Sequence, residues 1–236
     1  MRDCNLLFKL DVQHARFVRR LNRFSGQAEQ NGQTIILHIT NTGRLVDLLT
    51  EGAEVLYVPR RSAKTSGVLT AVVVGGEAAV VDTRLQSKAF EAAFKNGLIE
   101  WLRGCRMAGK EVVVKNVRID YVFVDEKGRR IFVELKSAVY LRQDGAAMYP
   151  DTVSTRGRRH IQTLTLLSRQ SPSIIVFIAA HPRAKSFTPC DEGDPEIRKL
   201  LQKAVTAGVK VYAVKTYMDM SGNVFWCLSN LPVNLS

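Results

Sequence analysis

The sequence lacks the features of a membrane, secreted or zinc-binding protein. Its purest apolar run, residues 174–180, is far shorter than the roughly 20 residues of a membrane-spanning helix. The four cysteines are widely separated and include no Cys-x-x-Cys pair, so their spacing indicates neither a zinc site nor a dense disulfide framework. The first residues show no secretory pattern, and no Walker-type glycine loop occurs. We therefore expect a cytoplasmic protein that does not associate with membranes.

Acidic residues are also scarce relative to basic ones. The chain of 236 residues has 34 Lys and Arg against 22 Asp and Glu, a formal net charge of +12. Residues 1–84 hold 11 basic and 8 acidic residues, while residues 85–236 hold 23 and 14. No Asp or Glu occurs from residue 152 to residue 190. This pattern favours a polyanionic partner that binds through its phosphates, although a solvated basic face has the same composition.

The first part of the chain has the pattern of short strands separated by turns. Residues 45–49 predict one short helix before the fourth strand. Five short strands with a small helix in this position favour an OB-like β-barrel over residues 1–84, a scaffold that often binds oligonucleotides. Other small barrels fit the pattern nearly as well. The predicted strands are 6–10, 16–29, 33–39, 54–58 and 68–74, the last continuing through a Gly75-Gly76 turn into 77–82.

After residue 83 the periodicity becomes that of an α/β domain, which we place at residues 85–236. A helix is expected to end near Asn96, with an extension or restart at 98–103, and a polar loop is expected from the third strand to residue 153. The remaining predicted elements are strands at 111–117, 118–124 and 130–136, a helix at 155–167, a strand at 174–179, a helix at 195–207 and strands at 210–215 and 226–228.

Three charged residues are expected to meet on the 118–136 hairpin. Because side chains alternate along a strand, Glu134 and Lys136 share one face. A turn near residues 126–127 places Asp120 opposite residue 133 or 134. Two carboxylates with backbone carbonyls nearby favour Mg²⁺ or Mn²⁺ over zinc, and a lysine beside them would hold or activate a water. A surface hairpin with an ordinary ion pair would show the same spacing.

This arrangement resembles the PD-(D/E)xK nuclease core, which has the order helix, three strands, helix, strand. The residue before the Asp is often Pro in that family and is Ile119 here. The resemblance implies that Asp120 and Glu134 are catalytic, metal-binding carboxylates and that Lys136 is the catalytic lysine. It further implies a third carboxylate from the preceding helix, for which Glu100 is the candidate.

A longer series of segments carries a more specific resemblance. In chain order they are Arg16-Phe17-Val18-Arg19-Arg20, Asn41-Thr42-Gly43-Arg44, Val81-Asp82-Thr83, Arg118-Ile119-Asp120, Val133-Glu134-Leu135-Lys136-Ser137, Tyr149-Pro150-Asp151 and Thr155-Arg156-Gly157-Arg158-Arg159-His160. The series resembles the SfsA family, the sugar fermentation stimulation protein A homologues, over nearly the whole chain. The resemblance implies an α/β (α+β) protein in which an N-terminal OB-like barrel precedes a PD-(D/E)xK restriction-endonuclease-like domain. It also implies DNA binding, with a suggested role in regulating sugar (maltose) metabolism.

Candidate nucleic-acid contacts lie in three segments rich in arginine or in small polar residues. The start of the 155–167 helix combines arginines with backbone N–H groups that favour anions. The arginines of the first long barrel strand lie on both of its faces unless a bulge realigns them. The candidates are Arg16, Arg19, Arg20, Arg23, Asn41, Thr42, Arg44, Arg156, Arg158, Arg159 and His160.

The leading interpretation is a DNA-binding protein with a magnesium-dependent, nuclease-like phosphodiesterase activity on DNA. The alternative is a non-catalytic transcriptional regulator of sugar metabolism that binds DNA. A sugar-handling enzyme ranks last, because the sequence shows no carboxylate pair in an aromatic cleft.

Overall fold

The computed structural model describes residues 4–60, 62 and 64–236, so residues 1–3 of the predicted first domain lie outside the described part. Seven strands come first. They are β1 Asn5–Lys9, β2 Gln13–Asn22, β3 Ser25–Gln30, β4 Gln33–His38, β5 Glu54–Pro59, β6 Gly67–Val74 and β7 Glu77–Val80.

Five of these strands, β2 to β6, close into a barrel. β2 pairs with β3 and β5, β3 with β4, and β5 with β6, all antiparallel. The parallel pairing of β4 with β6, through Leu37 opposite Gly67, completes the ring. Phe17, Leu56 and Leu69 are buried inside it. The predicted OB-like barrel is confirmed.

The barrel differs from the prediction in the strands that build it. Residues 16–29 form two strands rather than one, because the chain reverses after Asn22, whose Oδ1 accepts a hydrogen bond from the N–H of Phe24 at 2.8 Å. The helix predicted at 45–49 is a single turn, in which the N–H groups of Leu48 and Leu49 both donate to the carbonyl of Leu45.

The first strand belongs to the sheet of the second domain. β1, predicted as a barrel strand, pairs antiparallel with the last strand, with Asn5 opposite Trp226. A disulfide joins Cys4 to Cys227 across this pair. The sequence spacing of the cysteines did not predict this bond, because its two ends are 223 residues apart.

The second part of the chain contains three α-helices and nine strands. Asp82, Ser154 and Asp194 cap the three helices by accepting hydrogen bonds from backbone N–H groups of the first turns. The elements are α1 Thr83–Lys95, a short 3-10 helix Glu100–Leu102, β8 Arg106–Val114, β9 Val117–Val124, β10 Arg130–Ser137, β11 Tyr140–Leu141, β12 Ala146–Tyr149, α2 Thr155–Leu167, β13 Ser173–Ala179, β14 Ser186–Pro189, α3 Pro195–Thr206, β15 Lys210–Asp219 and β16 Asn223–Leu228.

The strands β8, β9, β10, β13 and β15 form the mixed sheet that positions the site. β8, β9 and β10 are antiparallel neighbours, while β10, β13 and β15 run parallel. β7 pairs with β15, so the sheet continues into the barrel. The loop predicted after β10 instead holds β11 and β12, which form a small sheet with β14. None of the helices in the described part of the chain has the length and hydropathy needed to cross a bilayer.

Candidate active site

The pairing of β9 with β10 places Asp120 beside Glu134. Tyr121 lies opposite Val133, so the next residues towards the open end of the hairpin are Asp120 and Glu134. The N–H of Leu135 donates to Oδ2 of Asp120 at 2.7 Å, which holds that carboxylate against β10.

Two hydrophobic cores lie on the two faces of this sheet. Because side chains alternate along β10, its charged residues lie on the face away from one of these cores. Val133 and Leu135 pack into the core shared with the barrel. Phe132 packs into the opposite core, and Glu134 and Lys136 lie on that same face of the strand. The structure therefore brings Asp120, Glu134 and Lys136 together.

Glu134 is the most buried of the three, with 2% exposure. Its Oε1 accepts hydrogen bonds from Nζ of Lys136 and from Nδ1 of His160, the latter at 2.5 Å. Burial works to raise the pKa of Glu134, but the Lys136 charge and the His160 hydrogen bond outweigh it and hold the pKa below its ordinary value. Glu134 is therefore a buried anion at neutral pH.

Burial and neighbouring charges also shift the pKa values of Asp120 and Lys136. Burial, joined by repulsion from Glu134, raises the pKa of Asp120 to about 6, against the opposing effect of Lys136. Burial works to lower the pKa of Lys136, but attraction to Glu134 reverses this and raises it. Lys136 is therefore a cation at neutral pH. It can attract a second negatively charged group in addition to Glu134.

His160 is a member of this cluster. It is buried on α2, and its Nε2 accepts a hydrogen bond from Nε of Arg156, one turn earlier, at 3.3 Å. With Nδ1 bonded to Glu134 and Nε2 bonded to Arg156, both ring nitrogens of His160 are engaged. Both groups orient the histidine, and the histidine orients Glu134.

The donor set fits a hard divalent cation. Oε2 of Glu134 is the one buried side-chain oxygen or nitrogen of the described residues that has no hydrogen-bond partner. Oδ2 of Asp120 is bound to the backbone of Leu135, which leaves Oδ1 as its second oxygen. Two carboxylates supply the hard oxygen ligands that Mg²⁺ and Mn²⁺ prefer, with water filling the other positions. Glu134 and Asp120 are therefore the residues that would hold a metal ion.

The structure does not bring Glu100 to this pair, so that prediction is wrong. Within the part of the chain that the structure describes, no three His, Cys, Asp or Glu residues group as metal ligands. Glu100 is exposed on the 3-10 helix, whose Trp101 stacks on Tyr212 at 4.4 Å between ring centroids. Trp101 packs on the core behind Val133, on the other side of the sheet from Glu134.

Two cavities adjoin the cluster. One, of about 320 Å³, lies between the barrel and the second domain and reaches Lys136. The other, of about 500 Å³, is lined by His160, Arg159 and the β8–β9 turn at Asn116. The exposed side chain of Arg156 lines both.

In the barrel, the predicted contact residues divide into those held by hydrogen bonds within the protein and those that are exposed. Arg20 donates to the carbonyls of Asn41, Gly43 and Arg44 at 2.5–3.0 Å, so its guanidinium holds the loop after β4 and is not free for a phosphate. Asn41 is buried and donates to Oγ of Ser137 at 3.3 Å. The prediction of Arg20 as a contact residue is therefore wrong, whereas that of Asn41, which lines the cavity between the barrel and the second domain, stays a prediction. The candidates Arg16, Arg19, Arg23, Thr42 and Arg44 are exposed.

In α2, the side chain of Arg158 is likewise held by contacts within the protein. Its guanidinium donates to both carboxylate oxygens of Asp194 at 2.6–3.1 Å, and Asp194 is fully buried. Arg158 therefore has a structural role through Nε and Nη2, and its role as a phosphate contact stays a prediction. Arg159 is exposed and donates to the carbonyl of Asn116 at 2.6 Å.

Sequence reasoning missed the polar contacts that join the barrel to the site. Oγ of Ser137 accepts from Gln86 of α1 at 2.9 Å as well as from Asn41. Thr40 donates to Asp82, the cap of α1, at 2.8 Å. The sequence Asp82-Thr83 is a helix-start signal from which the cap could have been predicted. Nothing in the sequence indicated that Thr40 of the barrel would bind this cap.

A closed five-stranded barrel joined to a mixed α/β sheet, with an acid pair and a lysine at the centre of that sheet, defines a protein with a barrel part and a site-bearing α/β part. The family models described as "SfsA N-terminal OB domain" and "Sugar fermentation stimulation protein RE domain" match residues 18–81 and 84–222. The chain belongs to the SfsA family.

Individual relatives agree with this assignment. The sugar fermentation stimulation protein homolog of Pyrococcus furiosus is 42% identical over 211 residues, covering 89% of this chain and 91% of that protein. The homolog of Archaeoglobus fulgidus is 35% identical over 210 residues, covering 89% and 90%. The solved structure of Pyrococcus furiosus SfsA in complex with Ca²⁺ matches with a TM-score of 0.93 and 39% identity, covering 98% of this chain and 99% of that one.

Proposed function

We propose that this protein is a divalent-metal-dependent phosphodiesterase that acts on DNA. One observation carries the proposal: Oε2 of Glu134 is buried without a hydrogen-bond partner, next to Asp120 and on the face that bears Lys136. An unpaired buried carboxylate oxygen is costly, and a bound cation removes that cost. The relative whose structure was solved with Ca²⁺ supports a cation site in the family.

Asp120 and Glu134 would hold Mg²⁺ or Mn²⁺. Such an ion, when bound, lowers the pKa of a coordinated water and stabilises charge on the phosphate. Lys136 donates through Nζ towards the negative charge that develops on the phosphate, in a site where burial strengthens the attraction. His160 keeps Oε1 of Glu134 occupied and so leaves Oε2 as the oxygen available to the ion.

The cations around the cluster support DNA as the substrate. Arg156 and Arg159 line the cavity beside His160, and Arg23 lines the cavity that reaches Lys136. These three arginines, distributed over the two cavities beside the candidate centre, match a phosphate backbone that passes through it. The net charge of +12 acts in the same direction.

Cleavage assays with matched lysine variants test the proposal. Labelled single-stranded, duplex and branched DNA is incubated with Mg²⁺, Mn²⁺ or EDTA. Wild type and Lys110→Met, a change at an exposed lysine paired with Glu91, are expected to cut DNA only with metal. Lys136→Met and Asp120→Asn are expected to bind DNA and not cut it. Cleavage that persists in Lys136→Met or in EDTA contradicts the proposal.

The second candidate is a non-catalytic DNA-binding regulator of sugar metabolism. The observation that favours it is the mutual pairing of Lys136, Glu134 and His160, which satisfies most of the cluster without a ligand. Binding of DNA with no cleavage under any cation would select this candidate.

A further inference from the structure

The cavity at the junction of the barrel and the second domain is large enough for a ligand. Its volume of about 320 Å³ is at the lower end of the 300–1,000 Å³ that is usual for small-molecule sites. The loop after β4 forms one wall and residues 148–154 form another. Lys136 also lines it, so a ligand in this cavity would lie beside the candidate catalytic centre.

The walls of this cavity combine apolar and polar side chains, a combination that suits the binding of a nucleobase. Tyr140, Met148 and Tyr149 provide aromatic and apolar surface. The hydroxyls of Thr42 and Ser137 provide polar groups for the edge of a base. Proteins bind unstacked bases through flat apolar surfaces that carry a few polar groups.

The charged groups of the cavity suit the phosphate of the same ligand. Lys136 and Arg156 line it on the side of the second domain, and Arg23 lines it on the side of the barrel. The one acidic residue in the lining is Asp151, whose Oδ2 accepts from the N–H of Leu45 at 2.8 Å. The balance of charge is therefore positive, as an anionic ligand requires.

An exposed apolar side chain lines this cavity. It belongs to Val153, which is 60% exposed. An apolar side chain in such a position can occupy the gap that a displaced base leaves in a duplex.

We propose that this cavity receives one unpaired nucleotide of the DNA, adjacent to the phosphate held at the Asp120–Glu134–Lys136 cluster. The inference deepens the proposed function and rests on it. A paired base must leave its stack before it can enter, and this costs least where the nucleotide is bulged or mismatched. The protein therefore selects DNA that contains an unpaired nucleotide.

Binding to two matched duplexes tests this selection. One duplex is fully paired and the other has a single bulged nucleotide, and both are labelled for fluorescence anisotropy in buffer with Ca²⁺ and again in EDTA. Wild type is expected to bind the bulged duplex about tenfold more tightly. A 2-aminopurine at the bulge is expected to change its fluorescence on binding, whereas the same base in the paired duplex is not.

Two variants that narrow the cavity from opposite walls identify the binding place. Val153→Trp and Thr42→Trp replace exposed side chains and are expected to bind the two duplexes equally. The matched control Val113→Trp changes a similarly exposed valine on β8 that does not line the cavity, and it should keep the preference. Equal affinity of wild type for both duplexes, or a preference that survives in both narrowing variants, overturns the inference.

Together, the cleavage and binding assays distinguish failure of the nucleotide pocket from failure of the proposed phosphodiesterase activity. Lys136-dependent cleavage without a preference for the bulge overturns the nucleotide pocket alone. A preference that the narrowing variants abolish, with no cleavage under any cation, overturns the phosphodiesterase and retains the pocket. No binding to either duplex contradicts both.

Discussion

Nδ1 of His160 lies 2.5 Å from Oε1 of Glu134, and both side chains are buried. The histidine occupies one carboxylate oxygen, and the other is the oxygen that has no partner. His160 is therefore a positioning residue for the candidate metal ligand.

Removal of this hydrogen bond is expected to weaken metal binding. Glu134 in His160→Ala loses a partner that fixes its orientation, so affinity for Mn²⁺ should fall by about 10–100-fold. Calorimetric titration of Mn²⁺ measures this. The control is His14→Ala, at an exposed histidine on β2, which should bind Mn²⁺ as wild type does. An unchanged Mn²⁺ affinity in His160→Ala would contradict the positioning role.

Arg156 and Arg158 should differ in how they affect the salt dependence of DNA binding. Arg156 is exposed between the two cavities, while Arg158 is paired with Asp194. Arg156→Ala is expected to reduce the slope of log Kd against log salt concentration by about 1, because one phosphate contact is lost. Arg158→Ala should leave the slope unchanged. Anisotropy titrations over a range of salt concentrations decide, and a larger effect of Arg158→Ala would refute the assignment.

Asp194 is expected to act on stability. Its carboxylate caps α3 and accepts from the N–H of Ser154 at 3.0 Å, so Asp194→Ala should lower the free energy of unfolding by at least about 1–2 kcal/mol. Burial works to raise the pKa of Asp194, but Arg158 and the N–H groups outweigh it and hold the pKa low.

The pH dependence of that loss follows from the sign of the shift. A lowered pKa in the folded state stabilises the fold above the unfolded pKa of about 3.9, and this contribution disappears as the pH falls through the folded pKa. Urea unfolding of wild type and Asp194→Ala at pH 7 and at lower pH should therefore show converging stabilities. The control Asp191→Ala, at an exposed carboxylate, should stay within about 0.5 kcal/mol of wild type. Curves that diverge in acid would contradict this prediction.

The Cys4–Cys227 disulfide should stabilise the fold without serving the site. Reduction is expected to lower the free energy of unfolding by about 2–4 kcal/mol, because the bond closes nearly the whole chain into a loop. Unfolding curves with and without dithiothreitol measure this, and the double variant Cys4→Ser/Cys227→Ser should not respond. DNA binding should be equal in both redox states. A stability that reduction leaves unchanged would refute the prediction.

How much of this molecule the sequence predicts depends on the distance between partners along the chain. Asp120 and Glu134 meet across one hairpin, so strand alternation and a turn were enough to place them. The limits of α2 were readable because its cap and its apolar spacing are local. The barrel role assigned to β1 failed because its partner is the last strand of the chain.

The same limit explains why the partners of two arginines were not predicted. The spacing of Arg20 and Arg158 shows clustered positive charge, but the carbonyls and the carboxylate that bind them lie 21–24 and 36 residues away. Glu100 failed for a different reason. The helix before the strands ends at Lys95, and the chain then turns so that the next short helix packs behind the sheet.

The most direct measurement of the central claim is anomalous diffraction from crystals soaked in MnCl₂. The account predicts an anomalous peak about 2.0–2.6 Å from Oε2 of Glu134 and from a carboxylate oxygen of Asp120. The peak should disappear in Glu134→Gln crystals soaked in the same way. A peak at other residues, or no peak beside Glu134 in wild type, would contradict the claim that this unpartnered oxygen is a metal ligand.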